Sequence, residues 1–117
     1  MKKSKLIPWW KTNLGLRETK EINKAVLGQC ITQGKITAQL ENHFASILGT
    51  PYVLLTTNGS ASLLAALIVC GIRANDEVII PNLTFIATAQ APLLLGAKVK
   101  LIDSCPTSPL IDTKKIE

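Results

Sequence analysis

The strongest constraint on this chain is the place where its hydrophobic period changes. Residues 52–72 read YVLLTTNGSASLLAALIVCGI. Through Tyr52–Leu55 the apolar side chains are continuous, the pattern of a buried strand. Thr56-Thr57-Asn58-Gly59 interrupts it, and a helix is expected over Ser60–Cys70, closed by Gly71. A strand that passes through a small polar turn into an apolar helix is the first half of a parallel crossover, so the chain belongs to the α/β class.

The remaining segments fit that alternation. "RANDE" is a turn, "EVIIP" a short strand stopped by Pro81, and Thr84 to about Gln90 the start of another helix. "AKVKLID" is a third strand, "PTSPLID" a proline-rich loop, and "IDTKKIE" the opening of one more helix with Asp112 as its N-cap. Upstream, residues 1–14 read as an extended arm. Ile22, Ala25, Val26, Gln29 and Cys30 then repeat at helical spacing from about Arg17 to Thr32, with Gly34 closing the segment. A second helix, Thr37–Leu48, carries Leu40, Phe44, Ile47 and Leu48 on one face and ends at Gly49. The expected order is two helices followed by a β-α-β-α-β unit.

Composition narrows the function classes. The chain has 117 residues and 47% of them are hydrophobic, enough for one small domain with a core. Leu63–Ile72, its longest apolar stretch, is about half of the roughly 20 residues that span a bilayer. The basic start holds Pro8 and runs into Lys11 without the long apolar core of a signal peptide, so a soluble, cytoplasmic protein is expected. Cys30, Cys70 and Cys105 are too scattered for a metal cage or a disulfide framework, and Cys70 reads as a small core residue. The net charge of +5 is concentrated in residues 1–35, where eight Lys/Arg face two Glu. No aromatic interleaving beyond Trp9-Trp10 accompanies it, so it reads as a solvated basic face rather than a nucleic-acid site.

Two segments leave the carboxyl ends of strands, where open α/β sheets bind ligands: Thr56–Ser62 and Pro81–Phe85. At the first, Gly59, Ser60 and Ala61 stand at a helix start, where free N–H groups and the helix dipole favour an anion, typically a phosphate. Gly59 permits close backbone approach, Ser60 adds a hydroxyl, and Ala61 leaves room. The turn is neither G-x-G-x-x-G nor a P-loop. By itself it is more commonly the N-terminus of a helix capped by Asn or Ser with no ligand.

The second segment extends the pattern. Asn58-Gly59-Ser60-Ala61, Gly71-Ile72, Asp76-Glu77-Val78-Ile79, Pro81-Asn82-Leu83-Thr84-Phe85, Leu95-Gly96-Ala97, and the loop from Asp103 to Asp112 occur in that order. From about Gly34 to Glu117 this resembles the N-terminal part of the DegT/DnrJ/StrS-type nucleotide-sugar aminotransferases, pyridoxal-phosphate enzymes of the aspartate-aminotransferase fold. The resemblance implies an arm and helix over residues 1–34, and an incomplete large domain over 35–117. It implies that Gly59, Ser60 and Ala61 hold the phosphate of pyridoxal 5'-phosphate and that Phe85 stacks on its ring. It further implies a nucleotide-linked keto sugar as substrate, glutamate as amino donor, a homodimer with sites at the subunit interface, and a role in polysaccharide biosynthesis.

The sequence departs from that pattern at several points. Asn58 and Ser60 stand where serine and threonine are usual, and Pro92 falls inside an expected helix. Pyridoxal chemistry needs a lysine and an acid for the pyridine nitrogen, and in the family both lie beyond the point matched by Glu117. Lys98, Lys100, Lys114 and Lys115 are assigned neither role, so no catalytic residue and no metal ligand is expected in this chain. Asp103 and Asp112 read as loop and capping residues, and His43 as structural. The 117 residues are therefore expected to be the front third of an enzyme, inactive alone, with apolar helix faces left uncovered. The alternative is a non-catalytic remnant that binds phosphate or pairs with a polypeptide carrying the missing lysine.

Overall fold

The structure, a computed structural model, describes residues 10–116. Trp9 and most of the expected arm lie outside the described residues. The chain divides into two compact units, Met1–Leu55 and Thr56–Glu117.

The first unit holds α1 (Leu16–Leu27) and α2 (Lys35–Leu48). Gly15 caps α1. Its N–H donates to Glu18 Oε2 at 2.7 Å, the half of a capping box open to a residue without a side chain. The helix ends at Leu27, five residues before the expected Thr32. Gly28 breaks the run, Gln29 turns left-handed at φ 55°, and the Cys30 N–H reaches back to the Ala25 carbonyl at 2.8 Å. This is a Schellman closure, so the apolar spacing at Gln29 and Cys30 is not helical. The second helix ends as expected at Gly49, whose φ of 64° suits a residue with no Cβ.

Tyr52–Leu55, expected to be a buried strand, forms no ladder among the described residues. Tyr52 is 87% exposed and Leu54 71%. A strand exists only through a partner. Here the Leu55 N–H, which a ladder would engage, instead donates to Glu41 Oε1 at 2.9 Å.

The second unit holds α3 (Gly59–Val69), β1 (Glu77–Pro81), α4 (Ala87–Leu94), β2 (Lys98–Ile102) and a 3-10 turn, Thr113–Lys115. The two strands pair in parallel, from Glu77 opposite Lys98 to Pro81 opposite Ile102. Both strands and the loop between Asp103 and Asp112 fall where the sequence places them, and Asp112 caps the final turn by accepting the Lys114 N–H. The α4 helix starts three residues later than expected and runs through Pro92. It packs on α3 and on both strands. Its buried Ala87 and Ala91 let the backbones approach closely, and with Ile80, Ala97 and the fully buried Pro92 they make the core. An interior proline costs about 3 kcal/mol. Pro92 instead occupies the last turn, where its ring is covered and its carbonyl accepts the N–H groups of Leu95 and Ala97, both at 3.0 Å.

This core is thin. Leu40, Phe44, Ile47 and Leu48 on α2 and Ile68 and Val69 on α3 are exposed. Cys70 is also exposed, at the C-cap of α3, and is not the core residue its apolar neighbours suggested.

Candidate functional site

The beginning of α3 shows why a small-residue turn follows Thr56-Thr57. Asn58 is extended and caps the helix, its Oδ1 accepting the Ala61 N–H at 2.9 Å. The Asn58 carbonyl accepts the Ser62 N–H at 3.2 Å, the first bond of the helix ladder. The Thr56 hydroxyl donates to the same carbonyl at 2.9 Å and hydrogen-bonds the Ser62 hydroxyl, fastening the turn from the other side. The N–H groups of Gly59 and Ser60 remain, the donors that no helix can satisfy internally. A Cβ built on Gly59 meets nothing within 4 Å, so the space beside this residue is open.

The end of β1 supplies the facing wall. Past Pro81, the Asn82 N–H donates to the Ile102 carbonyl at 2.8 Å, and the chain then turns into α4. Phe85 precedes that helix. Its carbonyl accepts the Thr88 N–H at 3.0 Å, the Thr84 and Thr88 hydroxyls lie 2.9 Å apart, and the ring itself is 75% exposed.

An open cavity of about 730 Å³ lies between these two elements. Asn58, Gly59, Ser60 and Ser62 line it from the start of α3 together with Leu63, Ala66, Phe85, Ala87 and Thr88, and the lining is mainly apolar. Three of the four residues singled out from the sequence, Gly59, Ser60 and Phe85, therefore meet at one cavity. Ala61 does not line it, and its N–H is engaged by Asn58. Ser62, Leu63, Ala66, Ala87 and Thr88 were missed. For Leu63 and Ala66 the signal was present: they repeat at helical spacing after Gly59 and so share its face. Thr88 sits one turn beyond Thr84 on the segment that delivers Phe85.

Among the described residues no charged side chain lines the cavity, and none of Lys98, Lys100, Lys114 and Lys115 reaches it. Lys100 faces Glu77 at 3.7 Å, and Lys115 Nζ lies 2.8 Å from Asp103 Oδ2. The hydrogen bond and positive charge of Lys115, with a further hydrogen bond from Asn82, hold the Asp103 carboxyl below its ordinary value, and Asp103 in turn raises Lys115. The arrangement sets unengaged backbone donors at a helix start beside an exposed aromatic ring. Among the described residues no group of three or more His, Cys, Asp or Glu is placed to hold a metal ion, and no described helix is long and apolar enough to cross a membrane.

Comparison with known proteins agrees with this architecture. The chain is 36% identical over 84 residues to GDP-perosamine synthase of Caulobacter vibrioides, covering 72% of this chain and 23% of that protein. It is 34% identical over 90 residues to UDP-2-acetamido-2-deoxy-3-oxo-D-glucuronate aminotransferase of Pseudomonas aeruginosa, covering 77% and 25%. It thus spans about a quarter of the length of these relatives. Among solved structures it superposes on Spr1654 from Streptococcus pneumoniae in its PLP form with a TM-score of 0.83 at 25% identity, covering 91% of this chain and 27% of that one. A DegT DnrJ EryC1 StrS aminotransferase from Brucella abortus gives a TM-score of 0.76 at 29% identity, covering 82% and 26%. The mixed helical and parallel-strand fold is that of the pyridoxal-phosphate-dependent aminotransferases. Residues 13–117 match the DegT/DnrJ/EryC1/StrS aminotransferase family, and the chain belongs to it.

Proposed function

We propose that this chain forms the cofactor-phosphate cradle of a pyridoxal-phosphate-dependent sugar aminotransferase. The observation that carries the reading is the meeting of the open N-terminus of α3 with the exposed Phe85 ring in one cavity. The residues fit the cofactor. Gly59 and Ser60, whose N–H groups are unengaged, line the cavity, and they stand at the positive end of helix α3, which has 11 residues. When bound, pyridoxal phosphate supplies the electron sink through which an amino group passes between carbon skeletons.

The chain's own residues bind and orient. The Gly59 and Ser60 N–H groups, with the Ser60 hydroxyl, take the phosphate oxygens, and the small Ala61 keeps the helix entrance clear. Asn58 holds the first turn of α3 in register through its bond to Ala61. Phe85 presents a π-face to a flat pyridine ring, which favours an offset aromatic neighbour. Leu63 and Ala66 exclude water beside it. No lysine of this chain is assigned to proton transfer.

For the whole protein, the similarity to a GDP-perosamine synthase and a UDP-sugar aminotransferase supports a nucleotide-linked keto sugar as substrate. Glutamate as amino donor, a homodimer, a cytoplasmic setting and a role in polysaccharide synthesis complete the reading, with residues 35–117 as part of the large domain.

The test is an NMR titration of the chain with pyridoxal phosphate, with pyridoxal as the phosphate-free control. Shifts centred on the amides of Gly59 and Ser60 and on the Phe85 ring, seen with pyridoxal phosphate and lost with pyridoxal, are expected. Equal responses to both compounds, or shifts elsewhere, would remove the phosphate-cradle reading.

A further inference from the structure

Phe85 stands on a segment that is pinned at both ends. On the α4 side, its carbonyl holds the Thr88 N–H and Thr84 is bonded to Thr88. On the sheet side, Asn82 makes a fork onto β2. Its N–H donates to the Ile102 carbonyl at 2.8 Å, and its Nδ2 donates to Asp103 Oδ1 at 2.7 Å. Only Leu83 and Thr84 separate that fork from Phe85. Asp103 is itself fixed from a third direction, because Lys115 Nζ donates to Oδ2 at 2.8 Å and the Asp112 N–H donates to the Asp103 carbonyl at 2.9 Å. The end of β1, the end of β2 and the 3-10 turn thus converge on one carboxylate, outside the cavity that Phe85 lines.

We propose that Asn82 and Asp103 are positioning residues that set where Phe85 stands in the cavity. The backbone bond from Asn82 to Ile102 alone leaves the following residues free to swing about the strand end. The side-chain bond to Asp103 adds a second point of attachment and removes that freedom. The Lys115 contact lies off the Phe85 segment and is a surface ion pair, both partners being more than half exposed, of a kind that contributes little to stability. The Asn82–Asp103 hydrogen bond carries the positioning, and Lys115 only restrains the acceptor. The effect of Phe85 placement on cofactor affinity rests on the function proposed above; the placement itself does not.

The experiment uses the full chain with ring-labelled phenylalanine. Its two phenylalanines give two sets of signals, and Phe44 on α2 serves as the internal control. Asn82→Ala and Asp103→Ala are expected to move and broaden the Phe85 signals while Phe44 stays in place, and to weaken pyridoxal phosphate binding about three- to tenfold, the usual range for one lost hydrogen bond. Asp103→Asn keeps an acceptor for Asn82 and loses the charge facing Lys115, so it is expected to restore the Phe85 signals. It also guards against misreading a folding defect, since it leaves the shape of the residue unchanged. Unmoved Phe85 signals in both alanine variants would overturn the proposal, as would an Asp103→Asn variant that behaves like Asp103→Ala. Moved signals in a chain whose wild type binds no pyridoxal phosphate would support the positioning role and remove the cofactor reading.

Discussion

Replacing Gly59 by alanine separates folding from binding, because the structure assigns the two opposite signs. Gly59 opens α3, its φ is not in the left-handed region, and a Cβ built there meets nothing within 4 Å. Alanine at a compatible helical position stabilises by about 0.4–1 kcal/mol, chiefly by reducing the freedom of the unfolded chain. The added methyl, however, crowds a residue that lines the cavity, where close approach of a phosphate oxygen, to about 2.9 Å from the Gly59 nitrogen, is proposed. Losing one hydrogen bond to a charged group costs about 1.5–3 kcal/mol, or roughly ten- to 100-fold in affinity. Urea unfolding followed by circular dichroism is therefore expected to show Gly59→Ala at least as stable as wild type. Titration with pyridoxal phosphate is expected to show much weaker binding. A variant that binds as well as wild type would show that no anion approaches this backbone. One that unfolds more easily would show that the space beside Gly59 is not open.

Three further outcomes are expected. Gly71→Ala and Gly96→Ala both force a Cβ onto a left-handed residue, at φ 80° and 75°, but only at Gly96 does that Cβ fall 3.1 Å from Ala74 Cβ. Gly96→Ala is accordingly the costlier by about 1 kcal/mol or more in urea melts, and adding Ala74→Gly recovers the difference. Phe85→Ala, at an exposed ring, changes stability by less than about 0.5 kcal/mol, yet weakens cofactor binding by about 0.5–1.5 kcal/mol, the contribution of an aromatic pair; a large loss of stability would mean the ring is packed rather than presented. The Asp103 carboxyl is held below 3.8, so its contribution to stability is complete above that value and disappears as pH falls through the depressed folded value. Lys115 is raised above 10.5, so its share is complete below that pH and disappears as pH rises through the raised value. In Asp103→Asn the acid-side loss is absent, which a pH series of thermal melts would read.

Elements closed by local chemistry were legible in the sequence. The second helix stops at Gly49, α3 stops before Gly71 and Asp112 caps the last turn because each depends on the conformational needs of one or two residues. The parallel strands Glu77–Pro81 and Lys98–Ile102 were legible because the hydrophobic pattern and the proline boundary agree. The end of α1 was not, because Gln29 rather than a glycine takes the left-handed position there. Of the site, the Gly59-Ser60 turn could be named from its place at a helix start, whereas Phe85 was named only through the family resemblance that Pro81-Asn82-Leu83-Thr84-Phe85 carries.

What the sequence determined by itself, then, is the α/β class, the order of its elements and the small polar turn at the start of α3. These follow from periodicity and from turn chemistry, which act within a few residues. Tertiary structure alone decided that Tyr52–Leu55 makes no ladder, that α4 carries Pro92 through its last turn, and that Asn82 reaches Asp103, 21 positions away. It also decided that Gly59 and Phe85, 26 positions apart, line one cavity. The physical reason is that a strand, a buried proline and a shared wall each need a partner distant in the chain, and no local pattern states which partner will be present.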